Sequence, residues 1–169
     1  MRPGETTARR QFLTFTLAGE PFALEIGLVR EIIGYEPPTR VPSSPAQVRG
    51  VINLRGTVIP VLDLAVRFGA PPTPVGKRTC ILVANAKLAG ETATLGVVVD
   101  AIRDVLEIAD ADVEPAPSIG ARVPPELLIG LAREDGHILH LLDLQRALEE
   151  GAALTPNAPS PIPASASWR

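Results

Sequence analysis

The sequence predicts a mostly β fold built from two similar halves that pack together. Hydrophobic residues make up 46% of the chain but aromatic residues only 4%, so the interior must be filled by aliphatic side chains, many of them β-branched, which favour strands. Short apolar runs are separated by turn residues about every eight to twelve positions, a spacing typical of small barrels or sandwiches. The third observation is an internal repeat.

The repeat has two parts that occur in the same order. The segment "GTVIPVLDLAVRF" (56–68) aligns without a gap with "GHILHLLDLQRAL" (136–148), eighty positions later. An earlier pair, "AGEPFALEIGLVREII" (18–33) and "AGETATLGVVVDAIRDVL" (89–106), aligns once two residues are inserted. One match could arise by chance, but two in the same order indicate two halves with a common plan.

Each half has the pattern hairpin, short helix, hairpin, helical turn. In the first half, Gly19 and Gly56 are expected in the turns of the two hairpins. The intervening "SSPAQVRG" predicts a short helix capped by Ser44 and ended by Gly50, with Pro at the first helical position. Asp63 is expected to cap the helical turn that follows the second hairpin, a contribution of about 1 kcal/mol.

The second half repeats these signals. The segment "VPPELLIG" (123–130) mirrors the short helix, and Asp143 is expected to cap "LQRALEEG". The strand in "GTVIPVLDL" has no polar face, which fits a strand that lines one barrel and packs on a neighbouring barrel or helix. Asn53 and Arg55, on the preceding strand, are then expected at the rim.

We expect a flexible N-terminus over 1–10, a folded region over 11–151, and a disordered tail rich in Pro, Ala and Ser over 152–169. The Pro- and Gly-containing connector 69–77 is expected near a junction between lobes. The chain starts with no apolar signal region, and no apolar run approaches the roughly 20 residues of a membrane span. A cytoplasmic protein without membrane insertion is the expectation.

The charge and the candidate chemical groups exclude several functions. A net charge of −3 from 16 basic and 19 acidic residues gives no electrostatic case for nucleic acid. His137, His140 and Asp143 resemble a metal site, but residues three apart on a strand point to opposite faces. Cys80 lies in an apolar run and has no evident activating neighbour. The sequence requires no enzyme, metal or cofactor.

The combined motifs resemble those of one known family. The run "GVINLRGTVIPVLDL", with "ALEIGLVREIIGY" before it and "LGVVVDAIRDVLEI" after it, is similar to CheW, the adaptor that couples chemoreceptors to the histidine kinase CheA. The resemblance covers about residues 11–151. It implies two packed five-stranded SH3-like barrels with short helices, no catalytic activity and no cofactor.

The resemblance also implies partners and sites. The cytoplasmic tip of a chemoreceptor would bind in a groove near the lobe junction, at positions that here are Val29, Glu31, Gly50, Arg55 and Val105. Val29 and Val105 would occupy corresponding places in the two repeats, as paired apolar contacts or as ordinary core residues. Glu31 and Arg55 would orient the receptor or form a solvated rim pair, and Gly50 would act through a backbone with positive φ.

A second implied surface faces the regulatory domain of a CheA-type kinase and would link receptors into arrays. The matching loop, "DVEPAPSIG", carries Glu114 where well-known members have a basic residue, and keeps an apolar residue at Ile119. The partner's charge is then reversed here, or the contact is weaker. Two alternatives stay open within the family: an adaptor in a non-flagellar pathway that controls surface motility, development or gene expression, and a scaffold that binds mostly other CheW-like proteins.

Overall fold

The computed structural model describes residues 8–88, 90–117 and 123–150. The predicted tail (152–169) and most of the predicted flexible N-terminus lie outside the described residues. Arg9 and Arg10 were expected in that flexible segment but are the first residues of a strand.

Within the described residues the chain forms strands and two short helices. In chain order they are β1 (Arg9–Leu17), β2 (Glu20–Glu25), β3 (Val29–Gly34), β4 (Val48–Leu54), β5 (Thr57–Leu62), α1 (Leu64–Arg67), β6 (Cys80–Leu88), β7 (Glu91–Val99), β8 (Ala101–Ala109), β9 (Leu128–Glu134), β10 (His137–Leu142) and α2 (Leu144–Glu150). Single 3-10 turns follow β2 and β8 and precede β9. The mostly β fold is therefore confirmed.

Two-residue turns join the hairpins as the glycines predicted. Arg55 and Gly56 have φ of 51° and 88°, and the turn between β1 and β2 has the same left-handed pair at Ala18 and Gly19. Such turns match the right-handed twist of the strands they join. The repeat is also confirmed, because β4 and β5 have the same bounds as β9 and β10 after a shift of eighty residues.

The strands form two five-stranded sheets, which we call the first and second lobes. The first lobe has the order β8-β1-β2-β10-β9, and the second has β3-β6-β7-β5-β4. Each lobe thus contains a hairpin from one sequence half and three strands from the other. Because the halves exchange strands, neither half can complete a lobe alone, and the two lobes are one folding unit.

A single bridge closes each sheet toward a barrel. Thr39, which follows β3, exchanges two backbone hydrogen bonds of 2.8 and 2.9 Å with Val51 on β4. In the first lobe Glu114 pairs in the same way with Leu131 on β9, with two bonds of 2.8 Å. These bridges join the two outer strands of each sheet and leave few unpaired edges.

Adjacent residues of the inner strands face different hydrophobic clusters. On β5, Val61 lies in the core of the second lobe, whereas Leu62 lies in the central cluster between the lobes. Leu141 and Leu142 on β10 divide in the same way between the first-lobe core and the central cluster. This arrangement explains why the end of β5 has no polar face. Burial on both sides stabilises the strand, at about 1.5–3 kcal/mol for each large side chain.

The predicted helix over 43–50 was wrong. The segment forms a turn in which the Val48 amide donates to the Pro45 carbonyl at 2.9 Å, and β4 begins at Val48. Ser44 donates its hydroxyl to the Val41 carbonyl instead of capping a helix. Pairing of Val48 with Leu62 fixes an extended backbone, which outweighs the local helix signals. The matching segment of the second half does contain a 3-10 turn, Pro125–Leu127.

Candidate functional site

A groove of about 520 Å³ lies between the two lobes. The second lobe contributes Ile32 on β3 and Cys80 at the start of β6, together with Arg78 just before that strand. The first lobe contributes residues 101–104 of β8. Ile32 is 43% exposed, so the groove presents an apolar side chain beside charged ones. We call it the junction groove.

A bulge in β8 shapes one wall of the junction groove. The register with β1 shifts between Leu13 and Phe15, so the single residue Thr14 lies opposite two residues of β8, Arg103 and Asp104. Thr14 is 2% exposed; its hydroxyl donates to the Asp104 carbonyl at 3.0 Å and accepts from the Asp104 amide at 2.9 Å. The bulge therefore turns three consecutive side chains, from Arg103 to Val105, toward solvent.

Glu31, which precedes the groove residue Ile32 on β3, forms an ion pair with Arg55; neither of the two is among the residues that line the groove. Arg55 occupies the left-handed turn between β4 and β5, and its guanidinium donates to the Glu31 carboxylate on β3. The Arg55 side chain is 67% exposed and the Glu31 side chain 29%. A pair this exposed contributes under about 1 kcal/mol to folding. The structure brings into contact the two residues that the resemblance assigned either to orienting the receptor or to a solvated rim pair.

Val29 and Val105 occupy corresponding positions, as expected. Val29 on β3 lies opposite Ala84, and Val105 on β8 lies opposite Leu13. Leu13 lies four residues before the end of β1, and Ala84 lies four residues before the end of β6, so the two are equivalent positions in the first strands of the two equivalent hairpins. The strand register matches Val29 with Val105 only if the second repeat has more inserted residues than the two that align 18–33 with 89–106.

The surroundings of these two valines differ. Val29 is half-buried and packs against the central cluster, whereas Val105 is 51% exposed. Of the two, Val105 is the better placed to contact a partner.

Gly50 is buried inside β4 and does not belong to the surface of the site. Its φ of 143° is positive, as expected, but it ends no helix. A Cβ at this position would lie 2.2 Å from the Thr39 carbonyl oxygen, in the bridge that closes the second lobe. Gly130 faces the equivalent Glu114 carbonyl, at 2.6 Å from its ideal Cβ. Both glycines allow the close approach of two backbones.

Comparison with known proteins identifies the family. Residues 11–152 match the model of the CheW-like domain. The chain is 36% identical over 155 residues to the chemotaxis protein CheW of Klebsiella aerogenes, covering 91% of this chain and 90% of that protein. The chain belongs to the CheW-like family. A more distant relative is protein FrzA of Myxococcus xanthus, 31% identical over 115 residues, or 66% of this chain and 68% of that protein.

A solved structure gives the same assignment. The crystal structure of the scaffolding protein TtCheW from Thermoanaerobacter tengcongensis superposes with a TM-score of 0.74 at 30% sequence identity, covering 84% of this chain and 94% of that one. The two five-stranded sheets described above therefore have the CheW-like fold. No described helix is long and apolar enough to cross a membrane.

The end of the first lobe forms a second candidate surface of this CheW-like chain. A cavity of about 440 Å³ there has an apolar floor that includes Leu106 and Leu139. Glu114 lies at its edge, and Arg133 donates to both oxygens of the Glu114 carboxylate at 3.2 and 3.4 Å. Three further carboxylates line the cavity, those of Glu107, Asp112 and Glu134. Ile119 lies outside the described residues.

The structure shows the surroundings of the candidate metal-site residues and of Cys80 in this CheW-like chain. Among the described residues, no group of three or more His, Cys, Asp or Glu side chains could hold a metal ion. His140 stacks on Phe22 with 5.0 Å between ring centroids, and its Nδ1 lies 2.9 Å from the Pro21 carbonyl oxygen. Burial raises the pKa of the Cys80 thiol, and a hydrogen bond with the Ile102 backbone partly offsets this.

Sequence reasoning missed Ile32, Arg78 and Arg103 in the wall of the junction groove. Ile32 is an apolar residue in the repeated segment 18–33, and this was the signal that the sequence offered. Its exposure on the edge strand β3 is seen in the structure. The positions of Arg78 and Arg103 depend on how the two lobes meet, and no local pattern reports that. The role of Thr14 was also missed, because its partner is a backbone ninety residues away.

Proposed function

We propose that this chain is a non-enzymatic cytoplasmic adaptor that couples chemoreceptors to a CheA-type histidine kinase in signalling arrays. The observation that carries the proposal is a groove formed by both lobes of a CheW-like fold whose halves exchange strands. Relatives named as chemotaxis and scaffolding proteins support it.

The receptor is proposed to bind at the junction groove. The cytoplasmic tip of a chemoreceptor is a helical hairpin, and it would meet two exposed apolar side chains: Ile32 in the groove wall, and Val105, which follows the groove-lining Asp104 on β8. The Glu31–Arg55 pair is proposed as a further contact with the receptor, where charge would fix orientation and register more than it adds affinity. Gly50 contributes indirectly, through closure of the second lobe.

The kinase is proposed to bind at the end of the first lobe. The contact would include Glu114 and Ile119 and would engage the regulatory domain of the kinase, or another CheW-like protein of the same build. The carboxylates around the apolar floor favour a partner surface that carries basic groups. This charge is opposite to that of the matching position in well-known members of the family.

The mechanism requires a stiff connection between the two surfaces. Receptor conformational changes reach the kinase only if the adaptor transmits displacement, and the strand exchange makes the lobes one folding unit. Each contact is expected to bury less than the roughly 1,200 Å² typical of stable complexes. Repeated engagement across an array then supplies strength, because a tethered second contact sees a high effective concentration.

Reconstitution with the cognate kinase and receptor tests this proposal. Membranes that contain the receptor are mixed with the kinase, with and without the full chain, and the sedimented kinase is measured. We expect the kinase to sediment with the receptor only when the chain is present. Arg55→Glu should lose the receptor while it still co-purifies with the kinase. Equal sedimentation without the chain would contradict the proposal.

The alternative function is that of an adaptor in a non-flagellar pathway, and the similarity to protein FrzA supports this alternative. That relative is named protein FrzA and not a chemotaxis protein, so the similarity of this chain is not limited to proteins named for chemotaxis. Deleting the gene separates the two. Loss of swimming chemotaxis supports the first proposal, whereas unchanged swimming with altered surface motility, development or gene expression supports the alternative.

A further inference from the structure

We propose that Arg78 and Arg103 make the junction groove selective for helices that carry carboxylates. The inference rests on the proposed function, in which the junction groove receives the helical tip of a receptor, and adds the chemistry that the tip must present. It concerns two residues on opposite lobes, so both walls of the groove take part.

The two arginines are exposed and have no partner in the described part of the chain. Both line the junction groove, and neither forms an ion pair or a side-chain hydrogen bond with another described residue. Most other described arginines do form ion pairs: Arg9, Arg10, Arg49, Arg55, Arg133 and Arg146. In a chain of net charge −3, two unpaired guanidinium groups on facing walls indicate a partner with negative charge.

The local charge balance supports this reading. Asp104 is the one carboxylate that lines the groove among the described residues. Lys77 precedes Arg78, and Arg30 lies two residues before Ile32 on β3; both are exposed. The lining of the groove therefore carries two guanidinium groups against one carboxylate, whereas four carboxylates line the cavity at the end of the first lobe.

The apolar residues define how the carboxylates must be arranged. Ile32 in the groove wall is 43% exposed, and Val105, which follows the groove-lining Asp104 on β8, is 51% exposed, so a bound helix would place an apolar stripe against these two side chains. Helix positions three or four residues apart share a face, and flanking positions would hold Asp or Glu toward Arg78 and Arg103. The partner is thus an amphipathic helix with an apolar stripe and an acidic border.

The Arg103 side of the groove is held in place by the bulge. Thr14 satisfies both the amide and the carbonyl of Asp104, which fixes the backbone next to Arg103. A side chain on a fixed backbone loses less entropy when it binds. Exposed charge pairs add little to affinity, so the arginines set the choice of partner and the association rate more than the affinity.

Calorimetric titration tests the inference. The probe is a soluble fragment that spans the cytoplasmic hairpin tip of a chemoreceptor from the same organism, titrated into the full chain at low and high salt. The test variant is Arg78→Glu/Arg103→Glu. The matched control is Arg40→Glu, since Arg40 is also exposed but lines a different pocket, beside Tyr35 and Pro42.

We expect the double variant to bind about tenfold more weakly at low salt, with an unchanged melting temperature, and the control to stay within about twofold. High salt should weaken the wild-type chain more than the double variant, because screening acts on exposed charges. A second fragment, with its tip carboxylates changed to Lys, should bind the double variant better than the wild type. A merely structural role for the arginines would not give this rescue.

Two results would overturn the inference, and they differ in what else they overturn. If the wild-type chain binds the fragment and the double variant binds it equally well at low salt, the selectivity for carboxylates is refuted while the proposed adaptor function stands. If the fragment does not bind the wild-type chain at any salt concentration, the receptor-binding role of the groove fails, and the inference fails with it.

Discussion

The guanidinium of Arg55 reaches across from the turn between β4 and β5 to the carboxylate of Glu31 on the edge strand β3. The two residues are distant in sequence and meet because Thr39 and Val51 close the second lobe beside them. The ion pair therefore depends on closure of the second lobe, and the exposed side of the pair is available to a partner.

Replacing Arg55 by Glu should weaken receptor binding without unfolding the chain. The substitution sets two carboxylates against each other at the rim, but the lost pair contributes under about 1 kcal/mol. For a chain of this size that corresponds to a melting shift below about 4 °C. Binding of a receptor-tip fragment and calorimetric melting check both parts. Arg55→Lys, which keeps the charge, is the control; unchanged affinity in Arg55→Glu would remove Arg55 from the site.

Replacing Asp63 by Ala should cost about 3 kcal/mol of folding stability, more than the loss of a helix cap alone. Asp63 is 1% exposed and accepts from the Ala65 amide, as a cap does. It also forms an ion pair with Arg49 at 3.0 Å and accepts from both the amide and the hydroxyl of Thr73 at 2.8 Å. Alanine would leave the Thr73 amide and hydroxyl without this partner and remove the counter-charge of Arg49, which keeps its hydrogen bonds to the Tyr35 hydroxyl and the Thr73 carbonyl.

The equivalent substitution in the second half is the matched control. Asp143 caps α2 through the Arg146 amide at 3.0 Å, but the position equivalent to Arg49 is Ile129. Asp143→Ala should therefore cost only about 1 kcal/mol. Urea unfolding of both variants measures the difference. Equal losses would show that the buried pair with Arg49 adds nothing beyond the cap.

Replacing Gly50 by Ala should destabilise the fold by at least about 3 kcal/mol. The new Cβ would meet the Thr39 carbonyl oxygen at 2.2 Å, and the φ of 143° is unfavourable for alanine. Receptor binding should fall together with stability, unlike in Arg55→Glu. Gly34→Ala is the control, because its Cβ meets nothing within 4 Å and its cost should stay within about 0.5 kcal/mol. An unchanged unfolding midpoint in Gly50→Ala would contradict the proposed closure.

The hairpins and the repeat could be predicted from the sequence because their signals are local. A left-handed turn needs glycine at a fixed place, as at Gly19 and Gly56, and alternation of apolar residues marks the strands around it. The segment 43–50 had equally local signals, yet it failed as a helix. Pairing of Val48 with Leu62 depends on distant residues, and those contacts determine the backbone.

The strand exchange could not be predicted. Pairing β3 within its own half or with β6 of the other half buries the same apolar side chains, so the residue pattern does not distinguish the two arrangements. Which lobe contributes Arg78 and which contributes Arg103 follows from that choice. The receptor-binding positions Val29, Glu31, Gly50, Arg55 and Val105 come from the resemblance and stay a prediction, while the cationic walls of the groove became visible only in three dimensions.

The buried hydroxyl of Thr14 gives the last prediction, because it links stability to the shape of the groove. Thr14→Val keeps the size of the side chain but removes the group that bonds both the Asp104 amide and the Asp104 carbonyl. Losing such a partner costs about 1–3 kcal/mol. The bulge should loosen, and hydrogen exchange at Asp104 and Val105 should become faster.

Receptor-tip affinity should fall in Thr14→Val even at temperatures where the variant is fully folded, because Arg103 and Val105 no longer stand on a fixed backbone. Thr94→Val is the matched control, since the Thr94 hydroxyl bonds the Asn85 side chain at 3.1 Å and no bulge backbone. It should lose some stability and keep its affinity. If both variants bind the tip equally well, the bulge does not shape the groove for its partner.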